Sequence, residues 1–363
     1  MATFETSLKS RLIYVFAISD EWHKDCLKVG ETTLEEDDGN FPLPNSEILN
    51  KAACDRIDQY TKTAGIAYTL LHTEMTVFFK GGTISSFNDK QVHSVLERSG
   101  VKKKTFDTVK GANEWFCCDL ETVKKAIHAV KNGQNSLNAS DISHTQTPII
   151  FRPEQQAAID KTKKQFKKGS QMLWNAKMRF GKTLCALRVA RDLDMRRTII
   201  LTHRPVVDEG WFEDFGKIFY DRTDYHYGSR TKGEDFDSLE RLAKKGGKYV
   251  YFASMQDMRG AQLVGGKFDK NNEVFSTEWD FLIVDEAHEG TRTELGEAVI
   301  KELTKVNTKV LKLSGTPFNL LDDYTEEETY TWDYTMEQRA KTEWDLLHMG
   351  DPNPYASLPA INI

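Results

Sequence analysis

Apolar residues along this chain fall into two regimes. Up to about residue 131, short β-prone runs are separated by amphipathic stretches of uneven length. LIYVFAI (12–18) and LKVGETT (27–33) predict two strands, and SEILNKAACDRIDQYTK (46–62) predicts a helix with a Ser cap. AYTLLHTEMTVFF (67–79) reads as one strand, and DKQVHSVLERSG (89–100) as a short helix stopped by Gly100. EWFCCD supplies a last short strand before the capped helix of DLETVKKAIHAVKNG. The order β-β-α-β-α, then strand and helix, predicts a small mixed α+β domain. NGQNSLNASDISHTQTP (132–148) is polar and lacks apolar periodicity, so it reads as a linker.

Beyond it the regime changes. PEQQAAIDKTKKQFKKG is helical with Pro153 at its start, where a missing N–H is harmless. QMLWNA, TIILT, KYVYFAS, DFLIVDE and KVLKLSG are apolar runs with helical stretches between most of them. Buried strands alternating with helices predict a mostly parallel sheet covered on both faces. The expected organisation is α/β throughout: a small domain at 1–131, a linker at 132–149, a parallel lobe at 150–322 and a tail at 323–363.

Composition agrees. A chain of 363 residues is long for one core, and 29% charged with 11% aromatic residues fits a folded protein. No apolar run reaches the roughly 18 residues of a membrane span, and the first residues lack a secretory pattern. Five cysteines without a CxxC pair indicate neither a disulfide framework nor a zinc knuckle. The simple expectation is a cytoplasmic protein. A net charge of −6 argues against a surface coated in basic patches but allows a locally positive groove.

The chemistry-bearing stretches lie at the ends of predicted strands. AKMRFGKT (176–183) follows QMLWNA and opens a helix, the context of a phosphate-binding loop. Backbone amides of Ala176, Lys177, Met178, Arg179, Phe180 and Gly181 would surround the phosphates, with Lys182 reaching the β- and γ-phosphates and Thr183 holding Mg²⁺. Gly181 permits close backbone approach, and Ala176 replaces the usual first glycine. DFLIVDEAH (280–288) ends a strand in two carboxylates: Asp285 for Mg²⁺ and Glu286 to polarise a water, with His288 coupling the site to its neighbours. KLSGTPFN (312–319) ends a further strand in small hydroxyl residues suited to sensing nucleotide state.

AKMRFGKT, DEAH and SGTP, in that order, resemble a superfamily 2 helicase or translocase, and the wording resembles the motor subunits of restriction enzymes. The resemblance covers about 150–320 and implies ATP and Mg²⁺ as cofactors and double-stranded DNA as partner. It also implies a methyltransferase or other restriction-system subunits alongside, and no membrane. FRPEQ (151–155) resembles the family's adenine-reading segment, with Gln155 on the base and Phe151 or Arg152 near it. THRPVVDEGWFEDF (202–215) and FASMQDMRG (252–260) resemble segments that touch the nucleic-acid backbone. The tail resembles the start of a connection toward a second lobe. Alone, the chain is expected to bind ATP weakly and hydrolyse it poorly.

Tyr14 in LIYVF, Gly30 in LKVGETT and Arg56 on the next helix resemble the GIY-YIG nucleases, in a branch whose second element reads K-[IV]-G. The resemblance implies Tyr14 at or beside the general base, Arg56 on the phosphate, Lys28 where a second tyrosine is usual, and Asp89 as the metal ligand with His93 one turn on. Glu74 is a rival ligand, and Glu114-Trp115-Phe116 resembles the branch's EWF element. The basic run 102–104 lies where it could meet a phosphate backbone, and 161–168 spreads its lysines round a solvated helix. Two alternatives stay open: a degenerate front domain that only holds DNA, and an RNA helicase or remodeller.

Overall fold

The computed structural model describes residues 10–34, 41–106, 114–138, 141–142, 149–203, 205–268, 270–287, 294–315, 320–348, 353–356 and 358. They divide into two compact units: Met1–Ser143 with Lys232–Glu234, and His144–Thr231 with Asp235–Ile363.

The first unit runs β1 (Arg11–Ile18), β2 (Leu27–Thr33), α1 (Glu47–Thr61), β3 (Tyr68–Met75), β4 (Val77–Lys80), β5 (Thr83–Ser86), α2 (Asp89–Arg98), β6 (Trp115–Phe116) and α3 (Leu120–Asn132). Its main sheet has the order β3-β1-β2-β6, with every pairing antiparallel. The strand expected over 67–79 breaks at Thr76, and β4 turns back on β5 as a separate hairpin. Ser46 stands at the N-cap of α1, but its side chain makes no capping bond. Asn88 and Gln91 form a capping box on α2, and Gly133 ends α3 in the left-handed region. Leu137, expected in the linker, packs into the core beside α3, so the unit's packing runs past the helix end.

Alternation along β1 divides this core in two. Leu12, Tyr14 and Phe16 pack with Leu49, Ala53 and Ile57 of α1. Ile13 and Val15 pack with Val92, Val95 and Leu96 of α2 and with Val123 and Ile127 of α3. Tyr14 pairs with Gly30 across β1 and β2. A Cβ at Gly30 would lie 2.7 Å from the Tyr14 hydroxyl oxygen, so glycine is what lets the buried ring cross β2.

The second unit runs α4 (Pro153–Gln165), β7 (Gln171–Ala176), α5 (Lys182–Asp192), β8 (Arg197–Thr202), α6 (Asp208–Phe219), β9 (Tyr225–Gly228), α7 (Phe236–Lys244) and β10 (Lys248–Ser254). It continues with α8 (Met255–Arg259), α9 (Asn272–Ser276), β11 (Phe281–Asp285), α10 (Glu294–Leu303), β12 (Lys309–Ser314), β13 (Thr329–Trp332) and α11 (Tyr334–Leu347). Seven strands form one sheet in the order β13-β7-β12-β11-β8-β10-β9, all parallel. Leu173, Ile199, Leu201, Leu282 and Val284 share a cluster with Leu239, Met255, Phe275 and Val299 from α7 to α10. The alternate residue Trp174 turns to α4, donating from Nε1 to Thr162 Oγ1 at 2.8 Å, so both faces are covered.

In the tail, Thr329–Trp332 adds to the edge of the lobe's sheet beside β7. Lys161 of α4 donates to the carbonyls of Glu326 and Thr329, at 2.8 and 2.6 Å, and holds this edge in place.

Replacing Gly30 by alanine is expected to lower stability by about 2 kcal/mol through overpacking against Tyr14. The measurement is the midpoint of chemical denaturation; an unchanged midpoint would show that the ring steps aside freely.

Candidate functional site

In the second unit the chemistry sits where parallel strands end. β7 stops at Ala176, which is extended and fully buried, so a side chain fits where the sequence lacks a glycine. The backbone turns through the left-handed region only at Arg179, with φ of 64°, and Gly181, with φ of 90°. Met178 is exposed, whereas Phe180 is fully buried against Trp174 and Tyr330 and anchors the loop from below. Lys182 and Thr183 begin α5. Lys182 Nζ donates to Ala176 O at 2.8 Å.

Burial pulls the Lys182 ammonium below its ordinary value, while the charges of Glu286 and Asp285 push it back up. Asp285 closes β11 and lies above the usual carboxylate range, mainly through burial and then through the adjacent Glu286. Trp211 Nε1 donates to Asp285 Oδ2 at 3.2 Å and fixes the carboxylate. Glu286 follows with a left-handed φ of 49°. β12 lies between β7 and β11, and a Cβ at Gly315, just past its end, would approach Lys182 Nζ to 3.8 Å. The arrangement is a half-buried cation facing two crowded carboxylates across a glycine gap. Its residues fit a magnesium nucleotide: a divalent cation would relieve the carboxylate repulsion, and the lysine and helix terminus suit phosphate. His288 and the Thr316-Pro317 part of SGTP lie outside the described residues.

Gln155, expected on an adenine, is buried; its Nε2 donates to Phe180 O at 2.7 Å and its Oε1 accepts from Arg152 N at 2.8 Å. Both ends of the amide tie α4 to the loop. In the segment expected to touch a nucleic-acid backbone, Trp211 and Asp208 turn inward. Asp208 accepts from the hydroxyls of Tyr227, Ser229 and Thr231 at 2.6 to 2.7 Å. Lys177 pairs with Glu337 of α11, and its Nζ lies 5.4 Å from the Tyr334 ring centroid.

In the first unit a cavity of about 300 Å³ is lined by Tyr14, Lys28, Glu31, Arg56, Tyr60, Asp89, Glu114 and Trp115. Four of the expected site residues, Tyr14, Lys28, Arg56 and Asp89, therefore share one wall-to-wall space. Lys28 Nζ lies 3.2 Å from Glu114 Oε2 and 4.8 Å from the Tyr60 ring centroid. Burial raises the Tyr14 hydroxyl, while a hydrogen bond with Tyr60 and the nearby Arg56 act in the opposite direction. Asp89 is raised by burial and by the charge of Glu31, whose Oε2 accepts from the Asp89 amide at 3.3 Å. Among the described residues no cluster of three or more ligands for a metal forms. Asp89 with Glu31 offers a strained carboxylate pair that one hydrated Mg²⁺ would fit.

His93 is not in this lining: its Nε2 donates to Val29 O at 2.8 Å and its ring packs on Phe116. Glu74 is also elsewhere, paired with Lys131 at 2.7 Å and His72 at 3.7 Å. Tyr60 and Glu31 were missed. Tyr60 stands four residues after Arg56, one helical turn along, which is the signal that could have found it.

Class and relatives follow from this geometry. The second unit has the parallel α/β architecture of a RecA-like lobe, with a lysine at the start of a helix facing paired acids. Residues 148–319 match the sequence model of the family described as "Type III restriction enzyme, res subunit". The chain is 26% identical over 257 residues to the C-terminus of a protein described as a type II restriction enzyme and methyltransferase, RM.MpnORF110P of Mycoplasma pneumoniae. That match covers 58% of this chain and 35% of the relative, so the chain spans about a third of the relative's length. Among solved structures, the Sulfolobus solfataricus SWI2/SNF2 ATPase core in complex with dsDNA is 17% identical with a TM-score of 0.37, covering 51% of this chain and 37% of that one. A nuclease-deletion mutant of the Type ISP restriction-modification enzyme LlaGI, with a DNA substrate mimic, is 18% identical with a TM-score of 0.35, covering 56% and 23%. Among the described residues no helix is long and apolar enough to cross a membrane.

Glu337 is fully buried, and its Oε2 has no partner among the described residues. Lys177→Met would leave that carboxylate uncompensated and is expected to destabilise the second unit by about 3 kcal/mol, with Lys177→Met/Glu337→Gln recovering much of the loss. Thermal or urea unfolding of the three proteins checks it; equal losses in the single and double variants would show that the pair does not couple.

Proposed function

We propose that this chain is part of a restriction-type, ATP-driven DNA translocase whose first unit is a metal-dependent GIY-YIG-like endonuclease. The observation that carries the motor reading is the half-buried Lys182, set between the Ala176 carbonyl and the charges of Asp285 and Glu286. The match of residues 148–319 to the res-subunit family supports the same reading. Lys182 and the amides leading into α5 would bind the β- and γ-phosphates, and Thr183 and Asp285 would hold Mg²⁺. Bound Mg²⁺ supplies neutralisation of charge on the transferring phosphoryl group. Glu286 would orient the attacking water. Gln155, tied to Phe180 O, would relay occupancy of the loop to α4.

The nuclease reading rests on the shared cavity of Tyr14, Lys28, Arg56 and Asp89. Arg56 and Lys28 would face the scissile phosphate as fixed positive charges. The raised Tyr14 hydroxyl stays protonated near neutral pH, which suits a donor that orients the attacking water, with Tyr60 holding it in line. Asp89 beside Glu31 would hold Mg²⁺, which supplies Lewis-acid polarisation of the phosphate when bound. Double-stranded DNA is the proposed substrate of both units, and a methyltransferase is the proposed companion activity.

Lys182→Ala is expected to weaken binding of a fluorescent adenine nucleotide about tenfold or more, because charge-assisted contacts to the phosphates are removed. Titration of the full chain tests it, and equal affinity would overturn the phosphate site.

With Mg²⁺ and supercoiled plasmid, the chain is expected to nick one strand, with Arg56→Ala or Tyr14→Phe lowering the rate by about 100-fold. Salt-dependent DNA binding without nicking would assign the first unit to holding DNA instead.

A further inference from the structure

Two thiols face each other at the open end of the β2–β6 ladder. The register pairs Lys28 with Trp115 and Leu27 with Phe116, so Cys26 and Cys117 are the next residues outward. Their Sγ atoms lie 2.9 Å apart, a separation that a small shift would close to a covalent bond. Cys26 is buried and Cys117 exposed, and both line an open cleft of about 930 Å³. Cys118, although adjacent, packs against the core on the α2–α3 face, whereas Cys26 belongs to the cluster around Tyr14 and Phe16. Cys117 therefore meets Cys26 and not its sequence neighbour.

The two sulfurs have unequal access to solvent. Burial, with the neighbouring Cys117, holds the Cys26 thiol up at about 12. Burial and Asp119 hold Cys118 at about 12 as well. Cys117 is the exposed thiol of the three, so it is the first to meet a solute entering the cleft.

We propose that Cys26 and Cys117 form a reversible disulfide when a hydroperoxide enters this cleft, pinning the outer end of β2 to β6. The Cys117 thiolate attacks the peroxide O–O bond, giving a sulfenic acid and releasing hydroxide or alkoxide. The Cys26 sulfur then attacks the Cys117 sulfur; the S–OH bond breaks, and the hydroxyl leaves as water with the Cys26 proton. Two thiols lose two electrons and the peroxide gains them. Cellular thiols reverse the step by exchange. In a reducing compartment such a bond is transient, as expected of a redox-sensitive position and not of a structural staple. Two ladder positions inward lie Lys28 and Trp115, which line the 300 Å³ cavity, so oxidation stiffens a wall of that space whatever reaction it hosts. The proposal is independent of the nuclease reading.

The test treats the full chain with hydrogen peroxide, traps free thiols, and maps peptides. The expected product is a Cys26–Cys117 linked peptide, reversed by dithiothreitol and absent from Cys117→Ser and Cys26→Ser. Closing so long a loop is also expected to raise the thermal midpoint of the oxidised protein by about 5 °C or more, with no rise in Cys117→Ser. Should Cys26→Ser fail to fold, Cys117→Ser, altered at an exposed position, supplies the control. A link to Cys118, a link between two chains, over-oxidation of Cys117 alone, or an unmodified pair would each overturn the proposal.

Discussion

A half-buried ammonium organises the second unit. Lys182 sits half-buried at the start of a helix, with a backbone carbonyl as its nearest acceptor and two carboxylates supplying the opposing charge. Burying a charge is tolerable only when such partners are held in place. The parallel sheet does the holding. β7, β12 and β11 are neighbours, so the lysine after one strand, the glycine after the next and the aspartate closing the third come to one edge. Trp211 from α6 fixes the aspartate, and Gln155 from α4 fixes the loop carbonyl of Phe180. Five elements far apart in sequence thus converge on one corner of the sheet.

The first unit uses a different constraint, a missing side chain. Tyr14 crosses β2 where Gly30 leaves space, and this puts a phenol on the same sheet face as Lys28. α1 covers that face and brings Arg56 and Tyr60 on successive turns, while the start of α2 delivers Asp89. Burial in this pocket raises both Tyr14 and Asp89, with the charge of Glu31 adding to the shift of Asp89. His93 is a counterexample: one helical turn from Asp89 in sequence, it turns its ring to Phe116 and a backbone carbonyl.

Much of this was legible beforehand, for reasons that differ by element. Long apolar runs such as TIILT and DFLIVDE read clearly as buried parallel strands, because both their faces must avoid water. β9 and β13 did not: they are four-residue edge strands, and Thr329–Trp332 lies in an acidic, polar neighbourhood with no apolar run to announce it. Phe180 read only as a backbone amide of the loop, and packing against Trp174 and Tyr330 shows its side chain to be an anchor. Glu337 carried no signal at all, since a buried glutamate is recognisable only beside its lysine.

The sequence by itself determined which local structures form and which reactive side chains close them: periodicity, caps and the Gly-Lys-Thr and Asp-Glu pairs are properties of neighbouring residues. Tertiary structure alone decided which of those side chains meet. Strand order set Lys182 against Asp285, sheet-face alternation joined Tyr14 to Lys28 and excluded His93, and the last register step brought Cys26 to Cys117. The reason is that hydrogen-bond registry between strands is a long-range choice, fixed by total burial of the core and not by any short stretch of chain.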